Sequence, residues 1–160
     1  AGEVKVGGLE LLTGYSIITE SLSIPLSLTY TYTTTEFQRS FEADFDAWGD
    51  VSAGDELPYV PTHQLRLGIG FERNNWDANL SIRYQSEMRS KAGQGAIPPE
   101  ELIDSFTVVD LAVSYQISAA HSIYLSVDNL LDREYAATRT HNSLQPGKPQ
   151  TFILGYRYGF

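Results

Sequence analysis

Gln64-Leu65-Arg66-Leu67-Gly68-Ile69-Gly70-Phe71-Glu72 alternates without a break, with Leu65, Leu67, Ile69 and Phe71 on one side and Gln64, Arg66, Gly68, Gly70 and Glu72 on the other. A period of two is the signature of a strand whose faces meet different surroundings. A tight polar turn, Arg73-Asn74-Asn75, follows. The next strand sets Trp76, Ala78, Leu80, Ile82 and Tyr84 against Asp77, Asn79, Ser81, Arg83 and Gln85, and Glu87 and Arg89 continue the polar row.

The same pattern recurs on either side of this hairpin. Val109, Leu111, Val113, Tyr115 and Ile117 oppose Asp110, Ala112, Ser114 and Gln116. After the turn Ser118-Ala119-Ala120-His121, Ile123, Leu125 and Val127 oppose Tyr124, Ser126 and Asp128. The last strand, 151–160, sets Phe152, Leu154, Tyr156, Tyr158 and Phe160 against Ile153, Gly155, Arg157 and Gly159. Upstream, Leu26, Leu28, Tyr30 and Tyr32 alternate with Ser27, Thr29, Thr31 and Thr33. In the first strand, around 2–12, Val4 and Val6 have one parity and Leu9 and Leu11 the other, so Gly7-Gly8 reads as a β-bulge that resets the facing. The count is seven strands, and no residue on these apolar rows is charged.

Connections alternate in length. Compact ones fall at 13–22, 73–75 and 118–121, and long ones at 38–61, 91–104 and 130–149. Aromatics gather at strand ends: Phe71 and Trp76 beside a short turn, Tyr158 and Phe160 at the end, Tyr32 and Tyr84 near long loops. Short turns on one side, long loops on the other and aromatic girdles at two levels describe a transmembrane β-barrel. A soluble β-sandwich also alternates its faces, but has no reason to segregate loop lengths or to place its rings at strand ends. Seven antiparallel strands cannot close on themselves with antiparallel pairs alone, and open edges are intolerable in lipid. The fold class is therefore all-β, an antiparallel transmembrane barrel of which these are about seven strands.

Composition agrees. The chain is 42% hydrophobic with ten Tyr, seven Phe and one Met, rich in the β-branched and aromatic residues that suit a pleated surface. No apolar run approaches the roughly 18 residues of a membrane-spanning helix. There is no cysteine, hence no disulfide framework, thiolate metal site or cysteine nucleophile. A net charge of −9 argues against nucleic-acid binding. The start Ala1-Gly2-Glu3 shows no signal peptide, as in a mature or truncated chain.

Val127-Asp128-Asn129-Leu130-Leu131-Asp132-Arg133-Glu134-Tyr135 resembles the penultimate-strand motif of TonB-dependent receptors, in which Asn129, Leu130, Leu131, Asp132 and Tyr135 are the motif positions. Gln145-Pro146-Gly147-Lys148-Pro149-Gln150 resembles the Pro-Gly-x-Pro stretch that precedes their final strand. Gly7-Gly8-Leu9-Glu10-Leu11 and Pro58-Tyr59-Val60-Pro61-Thr62-His63-Gln64-Leu65 are similar to two further segments, in the expected order. Within the family, 84–98 and the Pro-Gly-Lys-Pro run look most like ferric-dicitrate-type receptors. The resemblance implies that 1–160 is the C-terminal sector of a barrel of about 22 strands, with the N-terminal plug domain and the remaining strands absent. It further implies outer-membrane import of a ferric chelate energised through TonB by way of the missing N-terminal region, no enzyme activity and no cofactor. Gly155, Tyr158 and Phe160 fit the signal read by the barrel-assembly machinery, although Ile153 stands where that signal has a polar residue. A passive porin or an adhesive barrel is the alternative.

Candidate ligand contacts are few. The inward row Arg66, Arg83, Arg89 and Arg157 suits an anionic chelate or a plug carboxylate, because guanidinium binds carboxylate bidentately. Arg89, near a long loop, and Arg83 are the first choices. The plainer reading pairs these arginines with Glu72, Asp77, Glu87, Asp110 and Asp128 along the wall. Trp48 and Tyr59 are placed to stack on a chelate. The loop carboxylates Glu42, Asp44, Asp46, Asp50, Asp55 and Glu56 have oxygen chemistry for hard cations but match no EF-hand. They read as a solvated loop that meets the cations of lipopolysaccharide beside the outer-membrane lipid. His63, His121 and His141 are too scattered for a metal site, and no Gly-x-Ser-x-Gly nucleophile motif occurs. Asn129 and Asp132 read as organisers of the strand-to-loop transition through side-chain hydrogen bonds to backbone. If import is right, the long loops 38–61 and 130–149 share one side and are the least ordered segments.

Leu65, Leu67, Ile69, Leu80, Ile82, Leu111, Val113, Leu125 and Leu154 are thus expected to face lipid, and Arg66, Arg83, Asp110, Asp128 and Arg157 the lumen. Leu80→Arg should destabilise the intact barrel by about 2–4 kcal/mol, the midplane cost of a cation in lipid. Asn79→Arg, one residue away on the other face, should leave stability nearly unchanged, and denaturant titration in phospholipid vesicles measures both.

Overall fold

The computed structural model describes residues 2–45, 47–140 and 143–159. Phe160 of the proposed assembly signal, Asp46 and His141 lie outside the described residues. Thirteen strands follow in order: β1 (Val4–Ile18), β2 (Ser23–Phe37), β3 (Phe41–Glu42), β4 (Asp50–Val51), β5 (His63–Arg73), β6 (Trp76–Gln85), β7 (Met88–Arg89), β8 (Leu102–Ile103), β9 (Phe106–Ser118), β10 (His121–Asp128), β11 (Ala136–Thr140), β12 (Ser143–Pro146) and β13 (Thr151–Tyr158). Seven form one antiparallel meander, β1-β2-β5-β6-β9-β10-β13, and the other six pair off as three small ladders within the long connections. The large sheet is open, with β1 and β13 at its edges.

Register carries the two faces across the whole sheet. Leu11, Tyr30, Leu65, Tyr84 and Thr107 stand side by side, as do Thr13, Leu28, Leu67, Ile82 and Val109. Further down, Ala78, Val113, Leu125 and Leu154 share a row. None of this face is covered by a second sheet among the described residues, and Leu154 is 79% exposed. The sandwich reading fails on that point. Uncharged, bulky and uncovered, the face suits hydrocarbon and not water.

Aromatic rings bound that face at two levels. Tyr30, Tyr32, His63 and Tyr84 form the upper level; Tyr32 lies 5.3 Å from the His63 ring, and the Tyr30 hydroxyl is 2.8 Å from His63 Nδ1. Trp76 and Tyr115, 4.6 Å apart, and His121 with Tyr156 and Tyr158 form the lower one. Eight residues separate Trp76 from Tyr84, about 26 Å of strand, which barrel tilt reduces to about 20 Å along the membrane normal, most of a hydrocarbon band of about 25 Å. β1 and β2 have 15 residues each and outrun that band. Their surplus is at the loop end, where Lys5 stands opposite Glu36 on the apolar face, beyond the upper aromatic ring.

The first strand departs from expectation. β1 is not broken at Gly7-Gly8: every residue from Val4 to Ile18 has one partner in β2, so no bulge resets the facing. Val4 and Val6 therefore lie on the polar face. They tolerate it because this end is above the lipid, and Val4 stands opposite Phe37, the centre of an apolar loop cluster. The strand also runs on past residue 12, so the compact connection shrinks to 19–22, closed by Thr19 N–H donating to Leu22 O at 2.8 Å. The register shift in the sheet is instead at the last turn: Ser118 pairs His121 and Gln116 pairs Ser122, which leaves Ile117 as the extra residue.

The three short turns fall on one side and the three long connections on the other, as a seven-strand meander requires. Expression of residues 1–160 alone in detergent should not give a closed barrel. Its gel mobility should be insensitive to heating, and amide exchange should be fastest along β1 and β13, whose outer backbone groups lack partners, and slowest in β5, β6 and β9.

Candidate functional site

The long connections were expected to be the loosest parts, yet they hold most of the buried side chains. Phe37, Ala47, Val51, Met88 and Ile103 are buried there together with Asp55, Arg89 and Ser90. A sheet bathed in lipid needs no core of its own, whereas loops that stand in water must bury their apolar residues against each other. Phe37, Phe41, Phe45 and Trp48 pack edge to face with centroids 5.5–6.0 Å apart. Backbone bonds then tie one loop to the next: Glu56 N to Gly93 O, Tyr59 N to Arg89 O, and Ala92 N to Ala47 O, at 2.8–2.9 Å.

Arg89 belongs to this cap and not to the inward row of the wall. The chain leaves the sheet at Ser86, whose N–H donates to His63 O and whose Oγ accepts from His63 N. Arg89 is then only 3% exposed; its Nε donates to Glu56 at 2.8 Å and its Nη2 to Gly95 O at 3.1 Å. Tyr59 has φ 61° and donates its hydroxyl to Arg139 O, while the Arg139 guanidinium donates to Glu100 O at 2.8 Å. Trp48 is the hub of the aromatic cluster, edge to face with Phe37, Phe41 and Phe45, and keeps part of its surface exposed. Arg89 and Tyr59 therefore hold the loops together.

The pairing expected along the wall does not form. Among the described residues, Arg66, Arg83 and Arg157 make no ion pair, and two of the five carboxylates assigned to the row serve elsewhere: Asp128 binds Lys148, and Asp110 accepts from Asn129 N at 2.9 Å. A carboxylate that the sequence did not single out for pairing, Glu56, takes Arg89. Its separation of 33 residues from Arg89 left no local signal.

Asn129 is the hub of the last long connection. It sits at φ 52° and is 2% exposed. Its Oδ1 accepts from Arg133 N at 2.9 Å, and its Nδ2 donates to Arg133 O and Lys148 O, each at 3.0 Å. Asp132, at φ 49°, donates its N–H to Asn129 O. Leu130 extends the ladder through its N–H to Val109 O and accepts from Gln150 Nε2; Leu131 is exposed. The Tyr135 ring lies 4.4 Å from Phe106 and directly on Gly147, where a Cβ would fall 2.0 Å from it. Gly155 plays the same part for Tyr124, its cross-strand neighbour on the polar face. Together these contacts bring Asn129, Tyr135 and Lys148 to the polar face, where with Arg83, Val108, Asp110 and Asp128 they line a cavity of about 170 Å³.

Asn129→Ala should cost the intact barrel roughly 2–4 kcal/mol, since it strands buried backbone groups that its amide satisfied. Asn129→Gly, which keeps the left-handed backbone, should recover about 1 kcal/mol of that. Denaturant midpoints of the two variants check both.

The match to known proteins follows the same boundaries. Residues 1–130 match the family model described as TonB dependent receptor-like, beta-barrel. The metal-pseudopaline receptor CntO of Pseudomonas aeruginosa is 30% identical over 112 residues, 66% of this chain and 15% of that protein. The vitamin B12 transporter BtuB of Vibrio cholerae is 27% identical over 150 residues, 91% of this chain and 23% of that protein. Among solved structures, the siderophore receptor PiuA from Acinetobacter baumannii superposes with a TM-score of 0.78 at 19% identity, over 98% of this chain and 22% of that one. The chain thus spans under a quarter of the length of each of these. Its sheet is an open sector of an outer-membrane barrel wall, and the chain belongs to the TonB-dependent receptor-like β-barrel family.

Proposed function

We propose that this chain is the C-terminal sector of an outer-membrane receptor that actively imports an iron chelate, energised through TonB by a region upstream of these strands. The family is one of receptors and not of enzymes. The observation that carries the reading is the polar face itself. Level with Arg66 and Arg83 it bears Leu12, 80% exposed, and nearer the short turns Ile18 and Ile153. Water-filled pores line their walls with polar groups, and these side chains ask for a protein segment to cover them. A plug domain in the lumen meets that need; an open porin does not, and nothing in the loop cap favours an adhesin.

In this reading the interlocked loops, held by the Arg89–Glu56 pair and Tyr59, present Trp48 to the outside, and Arg83 offers a cation to the chelate on the wall beneath. A ferric-citrate-like cargo is the finer form of the proposal, suggested by 84–98. The acidic loop 38–61 meets cations of lipopolysaccharide, and Gly155 with Tyr158 is read by the assembly machinery.

The test is uptake of radiolabelled iron chelates by cells that express the full-length protein. Uptake should disappear when the gene is deleted, and also when TonB is removed or the proton-motive force is collapsed. Uptake that persists without energy would identify a passive pore.

A further inference from the structure

Arg66 on β5 and Arg83 on β6 are direct cross-strand partners on the lumenal face. Opposite residues of an antiparallel pair have Cβ atoms about 5 Å apart, and like charges there destabilise the sheet. The nearest carboxylate, Asp110, stands diagonally from Arg83 and shares its cavity, but makes no ion pair with it. Thr29 flanks Arg66 and Val108 flanks Arg83 along the row, Gln64 and Gln85 lie above, and Gly68 and Ser81 below. The four ion pairs of the described residues use Arg39, Arg89, Lys91 and Lys148. In a chain of net charge −9, two adjacent cations thus remain without a direct ion pair.

Location sharpens the point. Leu65 and Tyr84, the adjacent pair on the other face, mark the upper aromatic level. The arginines therefore stand just below the loop cap, where anything that enters from outside or fills the lumen must pass. The small residues beneath them, Gly68, Ser81 and Ser27, keep the wall low and leave the guanidinium groups overhanging it. Asn129, Tyr135 and Lys148 of the last long connection complete the cavity that Arg83 lines.

We propose that Arg66 and Arg83 form a binding fork for one carboxylate, supplied either by the protein segment that occupies the lumen or by an incoming ligand. Two guanidinium groups give ten N–H donors in planar arrays suited to bridging both oxygens of a carboxylate. One anion between them turns mutual repulsion into two charge-assisted contacts. This assignment rests on the import reading only in so far as that reading fills the lumen.

The experiment uses the full-length receptor in detergent at low ionic strength, with thermal unfolding followed by heat-dependent gel mobility and citrate as the free carboxylate probe. If the carboxylate is resident, Arg66→Gln and Arg83→Gln each lower the unfolding temperature of the ligand-free protein. If it is external, each single variant is neutral or stabilising without ligand. Citrate then stabilises the wild type, and the double variant binds it roughly 10- to 100-fold more weakly. Arg66→Lys with Arg83→Lys, which keeps both charges but loses the planar forks, should retain folding and only part of the effect. Glutamine variants that are neutral or more stable, together with a wild type indifferent to citrate, would overturn the proposal. Stabilisation by inorganic phosphate but not by citrate would overturn the carboxylate assignment. Failure of energised iron uptake would remove the import reading and leave these unfolding results standing.

Discussion

Every backbone N–H and C=O that enters hydrocarbon has to find its partner inside the protein, because nothing in lipid will accept or donate a hydrogen bond. That requirement organises this chain more than any side-chain contact does. It explains why seven long strands pair in strict sequence order with a register that is continuous almost throughout, and why the single shift falls at Ile117, beside a turn. It also explains why the ladder at the loop end keeps going past the nominal strands. Thr33 N donates to Thr62 O, Ser86 N to His63 O and Leu130 N to Val109 O, so the backbone is satisfied until water can take over.

With hydrogen bonding settled by the ladder, the side chains are free to answer two different solvents. The lipid face needs only to be apolar, and it stays uncovered. The loops stand in water and behave like a small soluble protein, with an aromatic cluster around Phe37 and a buried arginine neutralised by Glu56. A buried charge without such a partner would be strongly unfavourable. Loop recognition surfaces are often imagined as loose. Here the three loops lean on one another through both backbone and side-chain bonds, which restricts how far any of them moves independently.

How much of this was legible in the sequence depended on range. Alternation is local, so strand number, facing and the sides of the turns could be read from residues such as Leu65 to Phe71 and Trp76 to Tyr84. The Gly7-Gly8 bulge was misread because apolar Val4 and Val6 were assumed to seek lipid, when their end of β1 lies above it and opposite Phe37. Arg89 was misread for a related reason. Alternation was extended four residues beyond Gln85, where the ladder had already ended. Its partner Glu56 and the Tyr59–Arg139 contact join residues 33 and 80 positions apart, and no period or motif encodes pairs of that kind. Asn129 was legible in its role, since a buried Asn at a strand end has few other uses, but the reach of its amide to Lys148 was not.

The clasp at Asn129 and the arginines of the wall are parts of one arrangement. β10 stops at Asp128, and its ladder partner β13 begins at Thr151, whereas β1 and β2 climb well above that level. The wall is therefore lowest where the last long connection springs from it. Asn129 fixes both ends of that connection, through Arg133 and Lys148, and so sends the chain inward across the polar face and not upward into solvent. Lys148 stays bound to Asp128 and Asp110 accepts from Asn129 N, so the two carboxylates that share the cavity with Arg83 are engaged by other groups and form no ion pair with it. A motif whose immediate effect is to satisfy backbone groups thereby also turns the neighbouring carboxylates away from direct pairing with the wall, leaving the Arg66 and Arg83 guanidinium groups open to an anion from outside this sector.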